Sequence, residues 1–104
     1  MIKKYQLDCL NITNAETYYD EIKKSFSFPD YFGRNYHAIL DCLRDIGWEV
    51  EESQDVEKAI SINCTNFGSL INKISDSYIA SFVDLLTSWK SEYPTVNIKI
   101  TLEL

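Results

Sequence analysis

The chain has 104 residues, of which 45% are hydrophobic and 25% are charged, and its net charge is −6. This composition is typical of a globular protein, and the length predicts one domain over residues 1–104 that buries a core without disulfides or metal. No apolar run approaches the roughly 20 residues of a membrane span, and no export signal is visible, so we expect a cytoplasmic protein that does not bind membranes.

The chain begins with a predicted strand and a predicted helix. The segment Ile2–Leu10 is rich in strand-forming residues. Thr13 and Glu16 then match a capping box, in which the Thr13 hydroxyl accepts a backbone hydrogen bond while Glu16 reaches back. Apolar side chains recur every four residues from there to about Phe26, which predicts a helix that ends before Pro29.

A second helix is predicted to begin after Asn35, a favourable N-cap, and to end at Gly47. His37, Asp41 and Arg44 are spaced i, i+4 and i+7, so they share one polar face of this helix. The polar segment from Trp48 to Glu57 predicts a loop, with room for a short helix.

The second half of the chain contains two further strand patterns separated by helical ones. Apolar residues alternate in Ala59–Cys64 and most strictly in Val96–Leu102. Between them a short helix is predicted around residues 70–74 and a longer one from about Ser77. Strands separated by helices predict an α/β fold, with a three-stranded parallel sheet covered by about four helices.

The negative charge is concentrated in one part of the sequence. Seven acidic residues and one basic residue, Arg44, lie between Asp41 and Glu57, so this segment alone has a charge of −6. Such a segment repels phosphate, which argues against direct nucleic-acid binding, and it attracts a basic protein. The alternative is a solvated loop that only improves solubility.

Catalysis has little support in the sequence. His37 is the only histidine, and although Asp41 lies one helical turn away, no serine or cysteine nucleophile can be tied to the pair. The glycines form no phosphate-binding loop and no metal-ligand spacing occurs, so no cofactor, metal or small-molecule substrate is expected. The odd number and wide spacing of Cys9, Cys42 and Cys64 predict reduced, unpaired thiols, with Cys42 largely buried.

The loop over residues 28–36 is dense in aromatic side chains and precedes the polar helix face. Aromatic anchors beside charged groups are typical of protein interfaces. The alternative is that Phe28, Tyr31 and Phe32 only fix the loop to the core.

Residues 28–43, which read FPDYFGRNYHAILDCL, resemble the central signature of the barstar family. The resemblance extends weakly over the whole chain through the order of strands and helices. It implies a three-stranded parallel sheet covered by helices. It also implies a cytosolic inhibitor that blocks the active site of a secreted ribonuclease with an acidic face.

The same resemblance implies which residues contact the partner. Tyr31, Gly33 and Asn35 match the family's binding loop, and Asp41 matches its central acid, which imitates a substrate phosphate. His37 and Leu40 depart from the family, which has an acid and a Trp at these positions. The predicted contact residues are Tyr31, Gly33, Arg34, Asn35, His37, Leu40, Asp41, Arg44 and Trp48.

The last helix has no clean match for the family's additional partner-facing Glu, and Trp89 or Lys90 falls near that position. Three functions therefore remain open. The first is an inhibitor, or immunity protein, for a basic ribonuclease or nuclease toxin. The second is a barstar-like domain that binds another basic protein, and the third is a small enzyme centred on His37 and Asp41.

Overall fold

The computed structural model describes all residues from Met1 to Leu104. Three strands and three α-helices alternate along the chain, with two short 3-10 helices between them. Their bounds are β1 (Ile2–Asp8), a 3-10 helix (Cys9–Asn11), α1 (Ala15–Phe26), α2 (Tyr36–Glu51), β2 (Ala59–Thr65), a second 3-10 helix (Phe67–Leu70), α3 (Asp76–Ser91) and β3 (Asn97–Leu102).

The strands form one sheet in the order β1-β2-β3, and both pairings are parallel, which confirms the predicted sheet. Alternate residues, such as Ile60 and Ile62 of β2, are fully buried beneath the helices. The opposite face is polar, and in one row of it Lys4, Ser61 and Lys99 lie side by side. The fold therefore has two layers, with the core between the helices and one face of the sheet.

The helix count is three rather than about four. The segment predicted as a short helix around residues 70–74 instead contains the end of the 3-10 helix Phe67–Leu70, followed by a turn. Ile71 is extended, and Asn66 and Asn72 have left-handed backbone angles, with φ of 56° and 69°. Such angles interrupt a right-handed helix, so the apolar residues of this segment lie in a turn and not on a helix.

The capping box of α1 is displaced by one residue from its predicted position. Asn14 is the N-cap, and its Oδ1 accepts a hydrogen bond from the Thr17 amide at 2.9 Å. The Thr17 hydroxyl accepts in return from the Asn14 amide at 3.0 Å and from the Thr13 amide at 2.8 Å. Thr17 thus takes the role expected of Glu16, which remains in the first turn, near the positive end of the helix dipole.

Helix α2 does not end at Gly47 but continues to Glu51. A Cβ atom at Gly47 would lie 2.5 Å from Cε2 of the Tyr93 ring, so the glycine is required by close packing. The Tyr93 hydroxyl donates a hydrogen bond to the Arg44 carbonyl at 3.0 Å, which holds the ring against α2. The acidic residues that follow Gly47 therefore begin on a helix and not in a loop.

The core fixes α2 against α3. Trp89 is fully buried, and its indole nitrogen donates a hydrogen bond to the Leu43 carbonyl at 2.7 Å. This bond satisfies the buried indole N–H, which would otherwise be left without a partner. None of the helices combines the length and apolar character needed to cross a bilayer.

The three cysteines are unpaired. Cys9 and Cys64 are buried, and burial raises their thiol pKa values to about 11 and about 12. Cys42 is only partly buried, contrary to the prediction, because its side chain packs at the margin of the core. The pKa of the Cys42 thiol is raised, mainly by burial and to a smaller extent by the negative carboxylates of Asp45 and Asp41.

Candidate protein-binding surface

The exposed side of α2 carries a stripe of acidic residues. Asp41, Asp45, Glu49 and Glu52 are spaced four, four and three residues apart, and all of them are exposed. At a rise of about 1.5 Å per residue the stripe is about 16 Å long. Trp48 lies beside it with 62% of its surface exposed. We call these four acids the α2 acidic stripe.

Some acids of the predicted cluster already form ion pairs within the chain. Asp55 binds the N-terminal amino group at 2.7 Å, and Glu49 lies 3.5 Å from the Lys3 ammonium group. Asp45 and Glu52 form no ion pair. The charge that remains free is therefore concentrated on α2 and at its C-terminal end.

The loop before α2 uses its aromatic residues in two ways. Phe28 and Phe32 are buried, and their ring centroids are 5.3 Å apart. Tyr31 projects from the same loop with 89% of its surface exposed. Of the two alternatives drawn from the sequence, fixation to the core applies to the two phenylalanines, whereas Tyr31 is free to contact a partner.

Polar contacts hold this loop against α1 and α2. The Asn35 side chain caps α2 by accepting from the Ala38 amide at 2.9 Å. Arg34 pairs with Asp20 and donates to the Glu16 carbonyl at 3.2 Å. Because these contacts exist in the free chain, a partner would meet a loop that is already ordered.

Gly33 is exposed and its backbone is not left-handed. A Cβ atom there would come no closer than 3.4 Å to any neighbour, which is ordinary contact. The fold itself therefore does not require glycine at this position, and the absent side chain leaves the loop backbone open to solvent.

His37 and Leu40 occupy different environments. His37 is exposed, its ring centroid lies 5.8 Å from that of Tyr36, and it forms no ion pair with Asp41. Leu40 is only 9% exposed and belongs to the core cluster. Eight of the nine predicted contact residues thus lie at exposed positions along α2 and its preceding loop, and Leu40 is the exception.

Arg44 links the α2 acidic stripe to α3. Its Nη1 lies 3.7 Å from Asp41, and its Nε donates to both carboxylate oxygens of Glu92 at 2.9 and 3.2 Å. Glu92 was not found from the sequence, because no residue of the last helix matched the family's additional acid. It adds a carboxylate to this surface from the C-terminal end of α3.

Asp84 is a second acid contributed by α3, and its Oδ2 accepts a hydrogen bond from the Tyr36 hydroxyl at 3.3 Å. Partial burial, followed by this carboxylate, raises the pKa of Tyr36. Asp84 and Glu92 are eight residues apart, which places them on the same side of α3. That spacing was the only sign of them in the sequence.

His37 and Asp41 lie outside the grooves of the molecule. The three grooves of the molecule are lined by other residues, and neither His37 nor Asp41 belongs to any of them. No group of three His, Cys, Asp or Glu side chains is placed to bind a metal ion. His37 and Asp41 are both exposed on α2.

Comparison with known proteins identifies the family of this chain. Residues 2–104 match the family model described as Barstar (barnase inhibitor). This chain belongs to the Barstar family. A relative from Bacillus subtilis (strain 168), named "Putative ribonuclease inhibitor YrdF", is 30% identical over 83 residues, which cover 80% of this chain and 76% of the relative.

Membership of the Barstar family confirms the resemblance drawn from residues 28–43 and extends it to almost the whole chain. It also agrees with the observed three-stranded parallel sheet. The roles of the individual contact residues remain predictions.

Proposed function

We propose that this Barstar-family protein is an inhibitor of a basic ribonuclease, either a free enzyme or the nuclease domain of a toxin. The observation that supports this most strongly is the exposed acidic stripe of α2, which adjoins the Tyr31 loop in a chain of this family. The inhibitor name of the Bacillus subtilis relative supports the same function. The partner is a protein, since the stripe would repel the phosphates of a nucleic acid.

In the proposed mechanism, α2 and its preceding loop cover the nuclease active site. Asp41 takes the place of a substrate phosphate and pairs with the Arg or Lys side chains that normally bind it. Its carboxylate is accessible, with 74% of the side chain exposed and only a long 3.7 Å contact to Arg44. A cationic site can therefore replace Arg44, which keeps Glu92 as its own partner at 2.9 Å.

Aromatic side chains complete the proposed contact at both ends of α2. Tyr31 precedes the helix and Trp48 lies near its C-terminal end, and both are exposed. Buried aromatic anchors account for much of the affinity of protein interfaces, whereas exposed charges mainly speed association. An ordered loop also lowers the conformational entropy lost on binding.

An inhibitor fits the surface better than an enzyme does. Catalysis by His37 and Asp41 would need a substrate cavity and a nucleophile, whereas both residues are exposed and line none of the three grooves. As an inhibitor the protein would act in the cytoplasm, where thiols such as Cys9 and Cys64 stay reduced.

Titration of ribonuclease activity tests the proposal. Purified protein is added to barnase and to other basic secreted ribonucleases, and cleavage of a fluorogenic RNA is followed. At least one enzyme should lose activity in proportion to added protein, with complete inhibition at one protein per enzyme. Binding to a basic protein without loss of RNA cleavage would favour the non-nuclease alternative. Full activity of every basic ribonuclease tested would contradict the proposal.

A further inference from the structure

Strand β3 lies at the edge of the sheet, with β2 as its only neighbour. The amides of Asn97 and Glu103 donate to carbonyls on the β2 side, each at 2.9 Å. Alternate residues of a parallel strand bond to the same neighbour, so the residues between them turn their backbone groups to the free edge. No loop or side chain bonds to these edge residues, which are Ile98, Ile100 and Leu102.

An apolar groove runs beside this free edge. It has a volume of about 270 Å³ and separates β3 from α3. Val83 of α3 and Leu102 of β3 both contribute to it, and they are 37% and 38% exposed. An unpaired strand edge next to exposed apolar side chains is a surface on which another strand can pair.

The charges along β3 are arranged symmetrically around Thr101. Lys99 precedes Thr101 by two residues and Glu103 follows it by two, so all three share the open face of the sheet. In an antiparallel pair of identical strands centred on Thr101, each Lys99 lies opposite Glu103 of the other copy. Opposite charges in directly facing positions stabilise strand pairing.

Helix α3 has the same kind of symmetry around Val83. Asp76 precedes Val83 by seven residues and Lys90 follows it by seven, so the three form one stripe along the helix. All three are exposed. Two antiparallel α3 helices that cross at Val83 would bring each Asp76 towards Lys90 of the other copy.

The two centres of symmetry lie side by side in the molecule. Val83 lines the same groove as Ile100 and Leu102, the residues on either side of Thr101. One two-fold axis can therefore pass near both Thr101 and Val83. The strand and the helix give two independent sets of complementary charge for the same arrangement, and each set occurs twice in a symmetric pair.

We propose that two copies of this chain associate edge to edge, with β3 antiparallel to β3 about a two-fold axis at Thr101. Ile100 of one copy then exchanges backbone hydrogen bonds with Leu102 of the other, and the sheet becomes six-stranded. Val83 and Leu102 are covered at the same interface. A register centred on Ile100 would place Lys99 opposite Thr101 and lose both strand ion pairs, so the charges select the Thr101 register.

The proposed dimer leaves the α2 acidic stripe accessible. The side of α3 that faces α2 carries Asp84 and Glu92, whereas the stripe through Asp76, Val83 and Lys90 faces the β3 edge. Each copy could therefore bind its own partner molecule, and the dimer is independent of the proposed inhibitor function.

Analytical ultracentrifugation of the full chain tests this interface. From about 1 μM to about 1 mM protein, the mass should rise from that of one 12.1 kDa chain towards that of two. Lys99→Glu and Glu103→Lys each place like charges opposite one another twice, and each should raise the dissociation constant about tenfold or more. The double variant restores opposite charges and should return close to the parent value.

The second charge set and a remote lysine provide controls. Asp76→Lys combined with Lys90→Glu should likewise dimerise more tightly than either single variant. Lys4→Glu makes the same charge change on the open face of β1, away from the β3 edge, and should leave the dissociation constant unchanged. Circular dichroism verifies that each variant is folded. A chain that remains monomeric at about 1 mM would overturn the proposal, and so would a dimer whose dissociation constant is unchanged by Lys99→Glu and by Glu103→Lys.

Discussion

Substitution of Gly47 by Ala should destabilise the protein, although alanine is the better helix former. Gly47 lies inside α2, where Gly→Ala alone would stabilise by about 0.5–1 kcal/mol. At this site the new Cβ would lie 2.5, 2.6 and 2.8 Å from three atoms of the Tyr93 ring. Carbon atoms in contact are normally separated by about 3.5–4.0 Å, so the ring must move.

The displaced ring cannot move freely. Tyr93 is 9% exposed, and its hydroxyl is bonded to the Arg44 carbonyl at 3.0 Å. Overpacking of this kind costs about 1–3 kcal/mol, and loss of the hydrogen bond adds about 1 kcal/mol. After subtraction of the helix-propensity gain, we expect a net loss of about 1–3 kcal/mol. For a domain of this size that lowers the melting temperature by about 4–8 °C per kcal/mol.

Urea unfolding of a double-mutant cycle measures the effect and its cause. Gly47→Ala is compared in the parent and in Tyr93→Leu, which lacks both the ring and its hydroxyl. The cost should disappear in the second background, where the gain in helix propensity remains. An equal cost in both backgrounds would refute the packing explanation and would indicate that the backbone itself requires glycine at position 47.

Three further outcomes are expected. Gly33→Ala should not lower urea stability, because the new Cβ meets no atom closer than 3.4 Å, yet it should weaken inhibition measurably; an unchanged inhibition constant would remove Gly33 from the contact. Association with a basic ribonuclease should slow as salt is added, since the Debye length falls to about 8 Å near physiological strength, and a rate that stays constant in stopped-flow would contradict steering by the α2 acidic stripe. Above pH 9, the ordinary thiol pKa, the unfolded chain loses the protons of Cys9 and Cys64 before the folded one, whose values are raised to about 11 and about 12. The stability that these neutral thiols contribute is complete below pH 9 and is lost as the pH rises towards those values, so a Cys9→Ser, Cys64→Ala variant should show a shallower decline in urea midpoint.

Local patterns in the sequence were sufficient for the sheet. Strand β3 alternates apolar and polar residues with a period of two, and this period depends only on neighbouring residues. The predicted end of α2 was wrong because it depends on a residue that is distant in the sequence. Glycine often follows the last turn of a helix, so Gly47 was predicted to end α2. In the folded protein Gly47 instead makes room for the ring of Tyr93, a residue far along the chain that only the folded core brings to it.

The same limit applies to the candidate surface. Asp41 could be predicted as exposed because the helical period of α2 and the family resemblance both place it on the polar face of the helix. Trp48 was predicted as a contact residue from the family resemblance alone, in a segment that was predicted as a loop. Glu92 could not, because its position beside Arg44 depends on how α3 packs against α2. Leu40 was predicted as a contact residue from a position in a family pattern, and the folded core covers it.

The most direct test of the central claim compares two variants that remove one negative charge from the same acidic segment. Asp41→Asn alters the exposed face of α2, and Glu57→Gln alters an exposed position between α2 and β2. Binding to an inhibited ribonuclease is measured by calorimetry, with thermal melts on both variants. Asp41→Asn should lose about 2–5 kcal/mol, or about 30-fold to about 4,000-fold in affinity, which is the general range for truncating one partner of a buried charge pair at a protein interface. Glu57→Gln should bind nearly as the parent does. If Asp41→Asn binds as tightly as Glu57→Gln, Asp41 does not imitate a phosphate in this protein.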